Sequence, residues 1–362
     1  MNTSELVSAL RLRDLTDPAG GRHALQLLLD ALVAADWGCP VRVLRPSPLV
    51  SVEDNYDRLG YPPDAVTRDA RYSRYVGENV MLRSHTSAGV PPALRRLAAD
   101  PVPDVLLVLP GLVHRRDVID RLHVGAPHQV DLWRVTPSPA SPGDLDDLVA
   151  RVVSTLLPGA RWRLTPASHP YTCAGRQIDV GTPDGWVELG ECGLIAPAVL
   201  DRAGLRSGGL AMGIGLDRAL MLRKGIDDIR LLRSADPRVA VQMLDLAPWR
   251  PVSRQPAVRR DLSIVVDGAP DAELLGDTVR RALGADAESL ESVEILGATP
   301  WADLPPAVRE RLGLGPEEWN VLLRLTLRPP TGALTAAHAN RLRNAVYAAV
   351  HRGPNHEWAG RT

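Results

Sequence analysis

Apolar residues recur at helical spacing across residues 21–37, where the leucines of GRHALQLLLDALVAADW fall on one side, and this predicts an amphipathic helix. Short strands are predicted at 41–44 and 49–52, around Pro46 and Pro48. Residues 54–75 are polar, rich in Tyr, Asp and Arg, and carry Pro62-Pro63. They read as a long irregular segment. A helix follows at 92–99. Residues 105–115 form a strong strand and 129–135 another, with a charged connection at 116–128, so the two make a hairpin-like pair and not a strand–helix–strand unit. A helix is predicted at 144–157, and strands at 162–164, 178–180 and 186–189. Residues 208–215 form a small-residue apolar strand that continues into a helix at 216–224.

Mostly antiparallel strands with helices between them indicate an α+β fold, not a doubly wound one. The stretch 248–256 (PWRPVSRQP) carries three prolines and is the best domain boundary. It divides a large antiparallel-sheet domain, 1–250, from a smaller one, 251–362. The second domain reads as strand 261–266, helix 272–283, strand 290–296, a long excursion, strand 320–326 and helix 336–350. That order matches a ferredoxin-like split βαβ arrangement. No internal repeat or low-complexity tract interrupts either domain.

Composition narrows the function classes. Apolar residues make up 45% of 362, enough for a full core. A net charge of −1 gives no global pull toward nucleic acid, so any RNA contact must rest on local patches. The longest apolar runs, such as 105–109 and the leucine-rich 25–29 interrupted by Gln26, are far too short to span a bilayer. Residues 1–15 mix both charge signs and lack an apolar h-region, so no signal peptide is expected and the cytosol is the natural compartment. Cys39, Cys173 and Cys192 fit neither a disulfide framework nor a zinc spacing, and no resident metal can be assigned. Lys224 is the only lysine among 42 basic residues, and the chain contains no phenylalanine.

Three segments carry candidate chemistry. The first is 105–135, where Arg115-Arg116 ends a buried strand and the returning strand sets Gln129 and Asp131 on one face at period two. A guanidinium is a planar, permanently charged fork that suits a phosphate, although an arginine pair also caps strands at ordinary surfaces. The second is 208–218 (GGLAMGIGLDR). Gly213 and Gly215 would let a ligand lie on the backbone, and Arg218 projects from the first helical turn. A glycine-rich strand packed against a helix explains the same residues, and no GxxxxGK[ST] loop exists in the chain. The third is 81–87 (MLRSHTS), which offers a base, an imidazole and hydroxyls. It can bind an ammonium and a carboxylate, and a plain Ser/Thr-rich loop accounts for it equally well. Without a G-x-S-x-G elbow, a Ser/His hydrolase is disfavoured.

Taken together these segments resemble the class II aminoacyl-tRNA synthetases, and among them the phenylalanyl-tRNA synthetase family. The family's second motif is matched by His114-Arg115-Arg116-Asp117 with His128-Gln129 on the return strand. Its third motif is matched by Gly213 through Arg218, and its Leu-Arg-x-His-Thr-Ser substrate loop by Leu82 through Ser87. The stretch 186–197 (WVELGECGLIAP) is similar to the family's strand into a Cys-Gly-Met turn, and residues 256–266 to the opening of its C-terminal anticodon-binding domain. Residues 50–56 and 70–75 also resemble single-chain members. The likeness spans about residues 20–355, in order.

The resemblance implies ATP and Mg²⁺ as cofactors, tRNA and an aromatic amino acid as partners, no membrane, and a monomer or homodimer. It implies that Arg115 holds the α-phosphate and Arg218 the γ-phosphate, with His123, Asp117, Gly213 and Gly215 also at the nucleotide. His85, Ser87, Gln129 and Asp131 would fix the amino acid's charged groups. Ala211 and Gly213 would floor its side-chain pocket. Arg254, Arg259 and Arg260 would line a tRNA face, although residues 251–362 hold 13 arginines against 14 acids, a net of −1.

The chain departs from the family at its pocket. Where the family has a Phe-Pro-Phe wall, this chain has His169-Pro170-Tyr171. Glu191 stands where the family tends to have Gly, and Ala196 where it tends to have His. Polar atoms in the wall penalise a ligand that cannot satisfy them, so the expectation is an aromatic substrate, phenylalanine or a polar relative. Two further readings follow: a paralogue serving a specialised pathway with a modified aromatic amino acid, and a non-catalytic amino-acid sensor.

Overall fold

The computed structural model describes residues 1–252 and 255–354. They form two compact units. The first comprises Met1–Arg115, Ala126–Ile226 and Val241–Trp249; the second comprises Arg116–Gly125, Asp227–Ala240 and the chain from Arg250 onward.

The first unit is built on a seven-stranded sheet. Its strands are β1 (Val41–Val43), β5 (Val105–Leu112), β6 (His128–Thr136), β7 (Trp162–Pro166), β8 (Thr172–Thr182), β9 (Gly185–Ile195) and β10 (Gly208–Gly215). They lie in the order β1-β5-β6-β10-β9-β8-β7, and only the β1–β5 pair is parallel. A small sheet of β2 (Leu49–Ser51), β3 (Arg74–Tyr75) and β4 (Val80–Leu82) lies in the same unit. The α+β expectation is met, with one large and mainly antiparallel sheet.

Alternation along β6 explains how the sheet divides its labour. Val130 and Leu132 point to one face and are fully buried. Gln129, Asp131 and Trp133 point to the other. On that second face Leu107, Leu109, Trp133, Val135 and Ala211 pack with Val90, Leu94 and Leu97 of the helix Val90–Ala99. The helix Ala24–Ala34 presents Leu25, Leu28 and Leu32 as its buried stripe, and His23 caps it by accepting from the Leu25 N–H at 3.2 Å.

Several elements differ from the sequence expectation in extent. β8 and β9 are each 11 residues long, whereas periodicity marked only 178–180 and 186–189. Many of their remaining positions are glycine or polar, such as Gly175, Arg176, Gln177, Gly190 and Glu191, which weakens the alternating signal; pairing of β9 with β10 and of β8 with β9 extends both strands. The polar segment 54–75 holds a helical turn, Val52–Asn55, and the fully buried Tyr56. The helix Thr3–Arg11 was not anticipated; a capping box between Asn2 and Glu5 starts it.

In the second unit, β11 (Val258–Asp267), β12 (Leu290–Pro300) and β13 (Glu318–Leu327) form an antiparallel sheet in the order β11-β13-β12. The helices Ala272–Leu283 and Ala336–Val350 supply Val279, Leu342 and Val346 to its core. The excursion between β12 and β13 contains a helix, Pro306–Leu312. The segment Arg116–Gly125 is part of this unit. Ile119 is buried in its core, Arg116 pairs with Asp277 at 3.3 Å, and Arg280 donates to the Asp117 carbonyl at 2.5 Å.

Candidate active site

Strand register places the first unit's candidate residues. Gly213 on β10 is paired with Asp131 on β6 and with Glu191 on β9, so the two carboxylates flank a bare glycine on one sheet face. The next row pairs Trp133, Ala211 and Gly193, and the row on the other side pairs Gln129 with Gly215. A Cβ added at Gly213 would come no closer than 4.0 Å to another side chain, so the face above it is open. Gly190, by contrast, is a packing glycine: a Cβ there would sit 2.1 Å from the Gly213 carbonyl oxygen.

Asp131 is held from three sides. It accepts from Thr86 Oγ1 at 2.5 Å, Ser87 Oγ at 2.8 Å and Trp133 Nε1 at 3.0 Å. Burial raises its pKa, and these bonds oppose the rise. Ser87 therefore works through Asp131. Thr86 and Trp133 were missed as site residues, although Trp133 continues the period-two series of Gln129 and Asp131.

His85 stacks on Tyr61 at 5.7 Å and meets Tyr56 edge-on at 6.3 Å. Burial pushes its pKa down to about 4, against the pull of the Asn55 backbone, and Arg115 and Arg83 push the same way. The imidazole is neutral at pH 7. Both of its ring nitrogens are shut off from solvent without a well-formed hydrogen bond, so the ring can donate to a ligand but cannot act as its counter-charge. Tyr61 gave no sequence signal, because it lies in the irregular segment.

Tyr171 stacks on Trp133 at 5.9 Å and leans on Tyr61 at 6.2 Å and His169 at 5.5 Å. His169 Nε2 is 2.5 Å from Glu191 Oε2. Ala211 lies beneath, fully packed in the apolar cluster.

At the other end of the face, Arg218 stands in the first turn of the helix Leu216–Lys224 and donates to the Glu188 carbonyl at 3.1 Å. Arg115 follows β5 and makes a bridge with Ser73. The surrounding cleft and the Glu191 charge raise the Glu188 pKa, while Arg218 and Arg115 pull it down. Both arginines thus act on one carboxylate. His128 and Asp217, immediately before Gln129 and Arg218, are joined by a buried 2.7 Å bond.

Asp117 and His123 belong to the second unit. The Asp117 carboxylate accepts from the Val118 N–H at 3.0 Å, and His123 Nδ1 lies 2.8 Å from Asp120. Burial acts to raise the Asp120 pKa, but His123 and the Leu122 N–H outweigh it and hold the group low. Arg259 is exposed on β11, and Arg260 donates to Asn340 at 2.9 Å. Arg254 lies outside the described residues. Among the described residues no cluster of three or more His, Cys, Asp or Glu could hold a metal by itself, and no helix is long and apolar enough to cross a membrane.

An antiparallel sheet with arginines at the end of one strand and after a glycine-rich strand defines a class II synthetase core. The family model for the tRNA synthetases class II core domain (F) matches residues 12–243. The chain belongs to that family, on its phenylalanyl-tRNA synthetase branch. It is 33% identical over 237 residues to the phenylalanine–tRNA ligase alpha subunit of Prochlorococcus marinus strain MIT 9313, covering 63% of this chain and 69% of the relative. The alpha subunit from Streptomyces avermitilis is 30% identical over 254 residues, covering 61% and 69%. That from Mycolicibacterium gilvum is 33% identical over 240 residues, covering 62% and 67%.

Proposed function

We propose that this chain is a phenylalanine–tRNA ligase, which activates phenylalanine with ATP and passes it to tRNA. The observation that carries this reading is the strand register that sets Asp131 and Glu191 on either side of Gly213, with Arg218 after the same glycine-rich strand and bonded to the Glu188 carbonyl. In this reading the substrate carboxylate attacks the α-phosphorus and pyrophosphate leaves. The aminoacyl group of the resulting adenylate then passes to a ribose hydroxyl at the tRNA end, and AMP leaves. Such a reaction needs positioning and charge stabilisation, which two fixed guanidinium groups supply. Arg115 holds the α-phosphate, Arg218 the γ-phosphate, and Gly213 and Gly215 leave room for the nucleotide. Glu188 is the carboxylate that would hold Mg²⁺, which would supply positive charge for the phosphates. Asp131 orients the ammonium, and Gln129 and neutral His85 hydrogen-bond the carboxylate.

Residues 251–362 act as an anticodon-binding domain with a ferredoxin-like β-α-β-β-α order, and Arg254, Arg259 and Arg260 supply its RNA contacts. The relatives are named as alpha subunits, whereas the resemblance to single-chain members suggests a monomer or homodimer. Light scattering of the purified chain distinguishes these. A cytoplasmic location follows from the role.

The test is ATP–pyrophosphate exchange with phenylalanine, followed by charging of total tRNA. Arg218→Ala should abolish exchange with the fold intact. Exchange at the wild-type rate in that variant would reject the assignment. The specialised-paralogue and sensor readings are disfavoured, because the relatives are named as ligases and a sensor has no use for both phosphate arginines.

A further inference from the structure

Two departures from the family's pattern meet in space. His169 replaces a ring of the pocket wall, Glu191 replaces a glycine of β9, and their side chains form a 2.5 Å imidazole–carboxylate contact. The residues are 22 apart, with His169 in the connection between β7 and β8 and Glu191 on β9. Each completes the other's hydrogen bonding, which removes most of the penalty of a polar wall.

Their placement relative to the substrate face is set by register. Asp131 and Glu191 lie on opposite sides of Gly213, two interstrand spacings or about 10 Å apart at the backbone. An aromatic amino acid whose ammonium meets Asp131 and whose ring lies over Gly213 points that ring toward Glu191. Tyr61 and Tyr171 line the same gap. Burial lifts both phenols well above their ordinary range, and among the charges adding to this are Asp131 and Glu191. The Glu191 side chain is 37% exposed, so it keeps an open edge after one oxygen has paired with His169.

We infer that Glu191, oriented by His169, is a specificity-determining residue that accepts a hydrogen bond from a donor on the substrate ring, which extends the pocket's range to ring-hydroxylated phenylalanines. This rests on the ligase reading above and deepens it. A pocket closed by a ring and a glycine has no acceptor at that place. A carboxylate oriented by an imidazole offers one, and a hydrogen bond to a charged group is among the stronger neutral-substrate contacts.

The experiment is ATP–pyrophosphate exchange with L-phenylalanine, L-tyrosine and 3-hydroxy-L-phenylalanine on the full chain. The readout is the ratio of kcat/KM for the better hydroxylated substrate to that for phenylalanine. Glu191→Gly should lower this ratio by about tenfold or more. His169→Phe removes the imidazole that orients the carboxylate, and should lower the ratio by less than Glu191→Gly does. If Glu191→Gly does not fold, Glu191→Gln keeps the shape with a weaker acceptor and should lower the ratio in the same direction. A ratio unchanged by these substitutions overturns the inference while leaving the ligase reading intact. No exchange with any of the three amino acids would overturn the ligase reading instead. The pocket would then be read by calorimetric binding of the same compounds, where the same shifts in ratio are required.

Discussion

The His128 ring and the Asp217 carboxylate form a fully buried clamp between the start of β6 and the helix that carries Arg218. Nε2 accepts from the Leu15 N–H at 3.0 Å, so the ring proton sits on Nδ1, which donates to Asp217 Oδ1 at 2.7 Å. Asp217 Oδ2 accepts from the His128 backbone N–H at 2.9 Å. Both carboxylate oxygens are used, and each partner is followed by a site residue, Gln129 or Arg218.

Asp217→Asn has only one acceptor oxygen for two buried donors. One N–H must go unpaired, at a cost of about 1–3 kcal/mol. The exchange rate should fall about tenfold, and Asp217→Glu, which keeps two acceptors, should recover part of it. Wild-type exchange and an unchanged melting temperature in Asp217→Asn would show that the clamp does not position the site.

Two glycines on neighbouring strands should respond in opposite ways. Gly190→Ala places a methyl 2.1 Å from the Gly213 oxygen, so β9 and β10 must part, at about 1–3 kcal/mol. Thermal unfolding should register a clear loss. Gly213→Ala meets nothing within contact distance and should melt near wild type, yet its methyl occupies the face above the glycine and should raise the KM for the amino acid. Equal melting temperatures for the two variants would contradict this division.

His85 should make stability depend on pH. Its folded pKa of about 4 lies below the ordinary 6.5, so between these values the unfolded chain binds more protons. The stability it contributes is complete above pH 6.5 and is lost as pH falls toward 4. The full span is on the order of 3 kcal/mol before solvent screening. Asp131, whose pKa is raised, works in the opposite sense, so the measurement is a difference: wild type minus His85→Gln, by denaturant titration across pH 4–7. Parallel curves would count against the burial of a neutral ring.

The cysteines should separate by reactivity. Burial pushes the Cys192 thiol up to about 12, whereas Cys173 is exposed. A disulfide reagent at pH 8 should label Cys173 in the native chain and reach Cys192 only after unfolding. Labelling of Cys192 at native rates would show that β9 opens locally.

Much of this protein is legible in contiguous residues. Arg115 at a strand end, Arg218 in a first helical turn, and Gln129 and Asp131 at period two are local facts, because strand alternation and helix initiation are set by neighbours in the chain. The strands of least apolar pattern, β8 and β9, were legible only in part. Glycine, threonine and glutamate interrupt the apolar alternation that periodicity detects.

Sequence alone determined the α+β class and the synthetase family. Only the tertiary structure decided which residues share the pocket. Tyr61 stacks on His85, Thr86 and Trp133 hold Asp131, and Glu191 reaches His169 because antiparallel register and side-chain packing bring together residues that no spacing rule connects. Long-range pairing of this kind depends on where whole strands align, and each residue's own neighbours carry no record of it.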